Sequence, residues 1–339
     1  MMKLKIYPYD LQLKHTFKIA HDQRDVQKSV IVALSDGTYT GYGEATANKF
    51  YGVSQEQIIN SIENIEEKLA KVEDLSPALF HQQISQWLDG QSFPICALDE
   101  AYLDFYGKKH QKKTYQLWGL ELNQLPLSNY TIGIGSIDEM VSKMKEVPNP
   151  IYKIKLGTKE DIEIVRALRE HTDAIFRVDA NCAWSVEESI ENSKVLKDLG
   201  VELIEQPMHP SNVEGMREVY QHSHLPLLAD ESCIVESDVE KCVGQFHAIN
   251  IKLTKCGGPT VALRMIEKAR QLGLKVMVGC MTESSVGISA IAQLLPLLDY
   301  VDMDGALLLK NDPAKGVSVM DGKVHFPEVF GNGVELELN

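Results

Sequence analysis

Charged residues recur at a nearly constant interval along the middle of the chain, each at the end of a short apolar run. Lys155, Asp179, Glu205, Asp230 and Lys252 follow runs rich in Val, Ile or Leu, with steps of 24, 26, 25 and 22 residues. This repeat predicts parallel strands that alternate with helices. Charged residues at the C-terminal ends of barrel strands are typical of a catalytic site. Carboxylates that only cap helices are the alternative, but capping does not require lysines at both ends of the series.

Eight strand candidates of this kind occur between residues 130 and 304. They are Tyr130–Ile134, Tyr152–Leu156, Ile175–Asp179, Leu203–Gln206, Pro226–Asp230, Ala248–Lys252, Lys275–Gly279 and Tyr300–Asp304. The segments between them place apolar residues on one helical face, as with Met265 and Ala269. Eight strands joined by crossovers of one length, about 25 residues per unit, favour a closed barrel over an open sheet.

The N-terminal third of the chain has a different pattern. Lys3–Leu13 and Ser29–Leu34 alternate apolar and polar residues, which predicts antiparallel strands, and Asp36-Gly37 predicts a tight hairpin turn after the second. The segment His15–Lys28 is polar and long for a hairpin connection, and we predict a loop. Long loops in compact domains are often lids or binding loops. A helical period from Ser54 to Gly119 completes an α+β domain.

Pro126 interrupts the pattern and marks a predicted domain boundary. We predict three segments: 1–123 as an α+β domain with lid loops, 124–312 as the barrel that carries the catalytic residues, and 313–339 as a C-terminal segment that returns to the first domain. The last segment contains a second tight turn, Asp321-Gly322.

Charge and cysteine content narrow the class of protein. A net charge of −14 makes nucleic acid or an anionic membrane an unfavourable partner. The six cysteines form no Cys-x-x-Cys pair and the N-terminus has no signal pattern, so we expect reduced thiols in a cytoplasmic protein. The expected partner is a small-molecule substrate, and a homo-oligomer stays open.

Asp179, Glu205 and Asp230 come from successive strands, so their carboxylates are expected to converge. Unit charges about 4 Å apart repel by roughly 4 kcal/mol per pair at an effective dielectric constant of about 20. We expect Mg²⁺ between them, because it prefers oxygen ligands and three carboxylates leave octahedral positions for substrate and water. A network in which nearby lysines neutralise the carboxylates is the alternative.

Two lysines are predicted on opposite sides of this site, Lys155 on the second barrel strand and Lys252 on the sixth. Lys153 shares a strand face with Lys155, and its charge is expected to lower the pKa of Lys155 towards the range of a general base. A metal that holds a carboxylate would stabilise the dianion formed when its α-proton leaves. A base on one face and an acid on the other predict an enzyme that inverts a carbon centre.

The chain resembles the enolase superfamily, specifically the muconate-lactonising subgroup and its dipeptide epimerases, over nearly its whole length. The motifs are Gly41-Tyr42-Gly43-Glu44, Ala97-Leu98-Asp99, Lys153-x-Lys155, Asp179-x-Asn181, Glu205-Gln206-Pro207, Asp230-Glu231-Ser232, Asn250-Ile251-Lys252-Leu253-x-Lys255-x-Gly257-Gly258 and Val278-Gly279-Cys280-Met281. The resemblance implies an α/β fold, a modified TIM barrel (β/α)₇β with an N-terminal α+β capping domain. It also implies one Mg²⁺ per subunit on the three carboxylates, with Lys155 and Lys252 as the acid/base pair. Lys252 is preferred over Lys255 because it directly follows Asn-Ile.

In the same resemblance, Asp302-Met303-Asp304 at the end of the last strand separates dipeptide epimerases from their relatives. Two carboxylates that project the same way can bind the α-ammonium group of a dipeptide. The resemblance further implies that Thr131, Lys153, Cys280, Met281, Thr282 and Met303 contribute to substrate binding. The implied reaction is a 1,1-proton transfer through an enediolate that inverts the C-terminal residue, with cell-wall peptide recycling as its context.

The lid segment predicts which dipeptide is accepted. Phe17-Lys18-Ile19-Ala20 is similar to epimerases that act on Ala-Glu, but the arginine that they carry two residues later is Asp22 here. An acid would repel a substrate glutamate, so we predict small neutral or aliphatic dipeptides such as Ala-Ala. Arg24 lies nearby and keeps an L-Ala-D/L-Glu epimerase as an alternative.

Three other functions are compatible with parts of the pattern. An o-succinylbenzoate synthase or N-acylamino acid racemase would use the same metal and lysines but has no use for Asp302 and Asp304. A Schiff-base aldolase would use Lys252 as its nucleophile. A binding protein without catalysis would not need two lysines on either side of a metal.

Overall fold

The structure is a computed structural model that describes residues 1–19, 22–72 and 74–337. Its N-terminal part is a three-stranded antiparallel sheet followed by helices. The elements are β1 (Lys3–Ile19), β2 (Asp22–Ser35), β3 (Thr40–Thr46), α1 (Gln55–Glu63), α2 (Glu66–Leu69), α3 (Pro77–Trp87), α4 (Ser92–Lys109) and α5 (Thr114–Leu117). The predicted Asp36-Gly37 turn joins β2 to β3, and Gly37 adopts a φ of 98° there.

The predicted loop His15–Lys28 is wrong, because most of this segment belongs to β1 and β2. The two strands pair from Lys3 with Ser35 up to Ile19 with Asp22, and the register shifts between Gln12 and Phe17. Exposed polar residues on both faces near the tip removed the alternation on which the strand prediction depended. Ala20 and His21 lie outside the described residues.

Helix α4 packs directly against β3, and two glycines of the strand make this approach possible. A Cβ on Gly43 would lie 2.0 Å from the carbonyl oxygen of Ala97, and one on Gly41 would lie 2.2 Å from that of Ala101. The motif at residues 41–44 therefore has a packing role, since only glycine leaves room for the helix backbone. Its fourth residue, Glu44, is buried at the contact with the second part of the molecule.

The second part is a nearly closed barrel of eight parallel strands, in the order in which the sequence predicts them. The elements are β4 (Tyr130–Ile132), α6 (Ile137–Glu146), β5 (Ile151–Lys155), α7 (Asp161–Arg169), β6 (Ile175–Asp179), α8 (Val186–Asp198), β7 (Val201–Glu205), α9 (Val213–His222), β8 (Leu227–Ala229), β9 (Ala248–Ile251), α10 (Leu253–Cys256), α11 (Pro259–Gln271), β10 (Lys275–Gly279), α12 (Ser285–Ala292) and β11 (Tyr300–Asp302). Each strand pairs in parallel with the next. The crossovers are not all alike, since β8 and β9 are joined by two 3₁₀ turns.

The inside of the barrel is apolar at one end and polar at the other. One buried cluster consists of Leu203, Leu228, Ala248, Met277 and Tyr300. The residues two positions further along the same strands are Glu205, Asp230, Asn250, Gly279 and Asp302. Side chains two apart on a strand point to the same side, so the apolar layer supports a polar layer at the C-terminal ends of the strands.

The C-terminal residues form two small antiparallel pairs. They are β12 (Ala314–Lys315) with β15 (Glu335–Leu336), and β13 (Ser318–Met320) with β14 (Lys323–His325) across the predicted Asp321-Gly322 turn. Asn332 returns to α4, where its backbone N–H donates to Asp104 at 2.7 Å. The division of the chain at residues 123 and 312 stays a prediction. Among the helices of the described residues, none combines the length and the apolar character needed to cross a membrane.

Candidate active site

A cavity of about 370 Å³ lies at the C-terminal ends of the barrel strands. Barrel residues form its floor and walls, including Thr131, Lys153, Lys155, Asp230, Lys252, Cys280, Met281, Thr282, Asp302 and Asp304. The first part of the chain covers it with Phe17, Ile19, Asp22 and Arg24 from the β1–β2 hairpin and with Asn48–Tyr51 from the loop after β3. Residues predicted from distant parts of the sequence therefore meet in one cavity.

The three predicted metal ligands converge at the C-terminal ends of neighbouring strands, and Asp230 among them lines this cavity. Asp179 ends β6, Glu205 ends β7 and Asp230 directly follows β8. Each offers an oxygen that lies within 4.8 Å of the other two, and all three residues are buried. Parallel neighbouring strands bring their C-terminal ends to one edge, which explains why the 25-residue repeat produces this cluster.

Two lysines approach the cluster from opposite walls. The Nζ atom of Lys155 lies 2.6 Å from Asp179 Oδ2, and that of Lys252 lies 2.8 Å from Asp230 Oδ2. Lys155 ends β5 and Lys252 follows β9, and these strands are four apart in a ring of eight. The ring order therefore places the two ammonium groups across the carboxylate cluster from each other.

The pKa values of the three carboxyls differ because burial and nearby charges act in opposite directions. Burial favours the neutral form of all three, but Lys155 and Lys153 outweigh it at Asp179 and lower the pKa of that carboxyl. At Asp230, Lys252 and Lys255 outweigh burial and hold the pKa well below its usual range. At Glu205, burial and the neighbouring Asp179 dominate and raise the pKa to about 7.

This donor set fits a divalent cation. Carboxylate oxygens are the ligands that Mg²⁺ prefers, and the raised pKa of Glu205 shows that the surrounding positive charge is too small to keep it ionised over the usual range. The network of lysine contacts predicted as the alternative is also present, but at Glu205 its positive charge does not offset burial and the charge of Asp179. Asp179, Glu205 and Asp230 could therefore hold Mg²⁺ in addition to their lysine contacts.

The prediction that Lys153 lowers the pKa of Lys155 assumed that the charge of Lys153 is not balanced by a carboxylate. In the structure, three carboxylates surround its ammonium group. Its Nζ atom lies 2.7 Å from Glu205 Oε2, 2.9 Å from Asp302 Oδ2 and 3.4 Å from Asp179 Oδ2. Burial alone would lower the pKa of Lys153, but these carboxylates hold it well above its usual range. Lys153 is therefore a buried counter-ion that links the carboxylate cluster to the last strand.

Several supporting contacts were not predicted from the sequence. Lys255 is fully buried and donates to Asp230 Oδ1 at 2.6 Å, on the side away from Lys252. Asn250 donates to Glu205 Oε1 at 2.9 Å, and the side-chain oxygen of Gln206 accepts from the backbone N–H of Asp230 at 3.0 Å. The motifs contained these residues, but no local pattern indicated which carboxylate each one would contact.

The last strand brings two of its three predicted residues to the cavity. Asp302 and Asp304 both line it, and Asp304 Oδ2 accepts from the backbone N–H of Thr131 at 2.5 Å. Burial and the charge of Asp302 raise the pKa of Asp304 to about 7. Met303 was predicted to bind substrate and does not line the cavity. Strand alternation turns its side chain into the hydrophobic core, where it is fully buried.

Asp22 and Arg24 both line the cavity and also contact each other. Arg24 Nε lies 3.6 Å from Asp22 Oδ2, and its Nη1 donates to the side chain of Gln27. The guanidinium lies 5.7 Å from the centre of the Phe17 ring. The positive charge of Arg24 is therefore balanced within the hairpin by the acid that replaces the expected arginine.

Comparisons with known proteins give a consistent result. Residues 139–339 match the family described as Enolase C-terminal domain-like. The chain is 55% identical over 335 residues to the L-Ala-D/L-amino acid epimerase of Flavobacterium johnsoniae, covering 99% of this chain and 100% of that one. It is 37% identical over 340 residues to the L-Ala-D/L-Glu epimerase of Bacteroides thetaiotaomicron, covering 98% and 88%. Its structure is similar to that of the dipeptide epimerase from Cytophaga hutchinsonii complexed with Mg and D-Ala-L-Val, with a TM-score of 0.93 and 26% identity over 99% and 96% of the chains.

Proposed function

The chain belongs to the enolase superfamily and, within it, to the dipeptide epimerases, and from this premise we propose that it inverts the α-carbon of the C-terminal residue of a dipeptide. The observation that carries this proposal is the pair of lysines on opposite walls of one carboxylate cluster. An inversion needs a group that removes a proton from one face of the carbon and a group that returns a proton to the other. Lys155 and Lys252 are placed for these two tasks.

In one direction, Lys155 acts as the base that takes the α-proton, and the electron pair of the broken C–H bond moves into the substrate carboxylate. The ammonium group of Lys252 then donates a proton to the opposite face of the carbon. Burial lowers the pKa of Lys252, but Asp230 and Glu205 outweigh it and raise the pKa, which keeps this group protonated before the step. The reverse reaction exchanges the two roles, and each lysine then regains its starting state by proton exchange with water.

The substrate carboxylate gains a second negative charge when the α-proton leaves, and this charge has to be stabilised. Mg²⁺, which Asp179, Glu205 and Asp230 would hold, would supply positive charge for this carboxylate. Lys153 adds a buried ammonium group next to Glu205. We therefore assign Lys153 to charge compensation at the substrate carboxylate rather than to proton transfer.

Two carboxylates at the end of β11 distinguish a dipeptide from an N-acylated amino acid as the substrate. A dipeptide has a free α-ammonium group, whereas N-succinyl or other N-acyl substrates do not. Asp302 and Asp304 line the cavity as acids, and a charge-assisted hydrogen bond to an ammonium group suits them. The substrate of an N-acylamino acid racemase has no ammonium group for these two carboxylates to bind, so the dipeptide is the better substrate class.

We propose small neutral or aliphatic C-terminal residues, as in Ala-Ala, for the inverted position. The covering hairpin contributes Phe17 and Ile19 next to Arg24, whose charge Asp22 balances. A substrate glutamate would have to compete with Asp22 for Arg24. The name of the Flavobacterium relative, L-Ala-D/L-amino acid epimerase, does not specify glutamate and is compatible with this preference.

A dipeptide library in deuterated water tests the proposal, with mass spectrometry to detect deuterium at the α-carbon. We expect exchange and inversion of Ala-Ala-type substrates and little exchange of N-succinyl amino acids. Asp22→Asn should increase kcat/KM for Ala-Glu relative to Ala-Ala, while Asp25→Asn, an exposed acid of the same hairpin, serves as the matched control. Exchange confined to N-acylated substrates would contradict the proposal.

We also propose a cytoplasmic location. All six cysteines are free thiols, and five of them are buried. Structural disulfides are typical of oxidising compartments, so this use of cysteine supports a reducing one. Fractionation of cells that contain the tagged protein tests the location. Recovery in the periplasmic or membrane fraction would contradict it.

A further inference from the structure

The barrel closes between its first and last strands through side chains more than through backbone pairing. Between β4 and β11 the described residues show an isolated bridge from Ser128 to Val301, whereas each other neighbouring pair of barrel strands forms a ladder. Side chains supplement the bridge, since Ser128 Oγ accepts from the backbone N–H of Met303 at 3.1 Å. This seam carries Asp302 and Asp304, so whatever closes the barrel also places these two acids.

Asn129 holds one oxygen of Asp302 from the seam. Its Nδ2 donates to Asp302 Oδ1 at 2.8 Å, and Asn129 is buried, with 1% of its surface exposed. The other oxygen of Asp302 accepts from Lys153 Nζ at 2.9 Å. Because both oxygens have a donor, the plane of the Asp302 carboxylate is fixed, and rotation of the side chain would break both contacts.

Arg177 in turn fixes the amide of Asn129. Its Nη1 lies 3.4 Å from Asn129 Oδ1 and donates to the carbonyl of Val301 at 3.2 Å, while its Nε contacts Glu202 at 2.7 Å. A guanidinium can only donate, so Asn129 has to face it with the amide oxygen. The amide nitrogen of Asn129 then points to Asp302. Because Arg177 can only donate, it sets the orientation of the Asn129 amide between Arg177 and Asp302.

We propose that Asn129 and Arg177 are positioning residues for recognition of the substrate ammonium group, which they serve by fixing Asp302. This inference rests on the proposed function. Strand β4 and the residue before it hold both acids, because Asn129 contacts Asp302 and the backbone N–H of Thr131 contacts Asp304. An ammonium group bound between two carboxylates requires a fixed separation of those carboxylates, and small displacements weaken such contacts strongly.

Loss of ammonium recognition can be separated from a general loss of structure by comparing two ligands. Ala-Ala and propionyl-alanine differ in the α-amino group alone. We expect wild-type enzyme to bind Ala-Ala more tightly, and Asn129→Leu to reduce this preference by about 10-fold or more, as expected for loss of a charge-assisted contact. Binding constants from competition or calorimetry give the ratio without relying on turnover.

Ser193→Ala is the matched control, because it removes a buried acceptor of the His224 backbone N–H, at 3.0 Å, on a helix that contributes to neither the seam nor the cavity lining. We expect it to leave the Ala-Ala to propionyl-alanine ratio unchanged. If Asn129→Leu fails to fold, Arg177→Lys is the second variant, since lysine keeps a cation near Glu202 but lacks the fork that reaches both Asn129 and Val301. It should reduce the ratio in the same direction.

Two outcomes overturn the inference in distinguishable ways. If wild-type enzyme epimerises Ala-Ala and both variants keep its ligand ratio, Asn129 and Arg177 have no role in ammonium recognition and the proposed function stands. If wild-type enzyme neither binds nor epimerises dipeptides, the proposed function fails and the inference fails with it. A crystal structure of Asn129→Leu with Asp302 turned from its wild-type orientation would support the inference independently of activity.

Discussion

Lys155 and Lys252 contact different carboxylates, and in the proposed function this separation gives each face of the substrate its own proton-transfer group. We predict that Lys155→Ala and Lys252→Ala each reduce net epimerisation by about 10²-fold to 10⁴-fold, the usual contribution of a general acid or base. Either variant can still exchange the α-proton of one enantiomer, because the remaining lysine faces one side of the carbon. Proton NMR in deuterated water, with each pure enantiomer as substrate, measures both rates.

Lys268→Ala is the control for this pair, because Lys268 forms a surface ion pair with Glu240 at 3.0 Å, away from the cavity. Surface pairs of this kind contribute about 0 to 1 kcal/mol to stability, so activity should not change. Full epimerase activity in either catalytic-lysine variant would rule out the two-base scheme.

In the proposed function, Asp304 provides the second contact to the substrate ammonium group. We predict that Asp304→Asn raises KM for Ala-Ala by about 10-fold or more, because an amide cannot provide the charge-assisted bond that a carboxylate provides. We expect a smaller effect on kcat than on KM, since Asp304 is not proposed to contact the carbon that reacts. Steady-state kinetics with Ala-Ala measures both constants.

Asp321→Asn provides the comparison, as an exposed turn residue with a φ of 49° that asparagine also tolerates. Unchanged rates on dipeptides in Asp304→Asn would remove the proposed ammonium contact and favour an N-acylated substrate.

At the scale of single elements, helix α12 connects the two parts of the molecule. Glu44 from β3 accepts from Ser284 Oγ at 2.5 Å and from the backbone N–H groups of Ser284 and Gly287, so it caps the N-terminus of the helix. Burial raises the pKa of Glu44, and these bonds oppose that shift. The loop before α12 carries Met281 and Thr282, so the cap also holds part of the cavity wall.

We predict that Glu44→Ala lowers the free energy of unfolding by about 2 kcal/mol and raises KM, because it leaves buried N–H groups without an acceptor and loosens the loop. Urea unfolding and steady-state kinetics on the same sample measure the two effects. Ser54→Ala removes the cap of α1 and is the control, with a cost of about 1 kcal/mol and no change in KM. If Glu44→Ala keeps the wild-type KM, the cap on α12 has no role in holding the cavity wall.

The elements differ in how far the sequence predicts them. All eight barrel strands were predicted, because each one is a short run rich in apolar residues and most of these runs end in a polar residue. The β1–β2 hairpin was missed near its tip, where both faces are polar and the alternation is lost. Asn129 and Arg177 were missed because their partners at Val301 and Asp302 are distant in sequence, and only closure of the barrel brings them together.

At the scale of the whole molecule, the cavity exists only where two parts of the fold meet. The barrel supplies the carboxylates and lysines, and the N-terminal part supplies the hairpin and the loop around Tyr51 that cover them. We therefore propose that the barrel carries proton transfer and ammonium recognition, and that the N-terminal part selects the side chain of the C-terminal residue. Variation in the hairpin can change the accepted dipeptide while the proton-transfer residues stay the same.

The buried carboxylates also make the stability of the whole molecule depend on a divalent cation. We predict that a chelator abolishes epimerisation and lowers Tm, and that Mg²⁺ restores both, because a cation that binds only the folded chain stabilises it. At a concentration of 100 Kd this linkage amounts to about 2.7 kcal/mol. For a chain of this length the unfolding entropy converts this value into a Tm shift of about 4 °C.

Calorimetry with and without Mg²⁺, at constant ionic strength, measures the shift. Asp179→Asn should lose most of it, because it removes one of three ligands, whereas Asp304→Asn should keep it, because Asp304 lies outside the ligand set. Full activity in chelator, together with a substrate adduct on Lys252 that borohydride traps, would instead support Schiff-base chemistry. That result would contradict the role of the carboxylate cluster, since an imine reaction at Lys252 needs no charge between Asp179, Glu205 and Asp230.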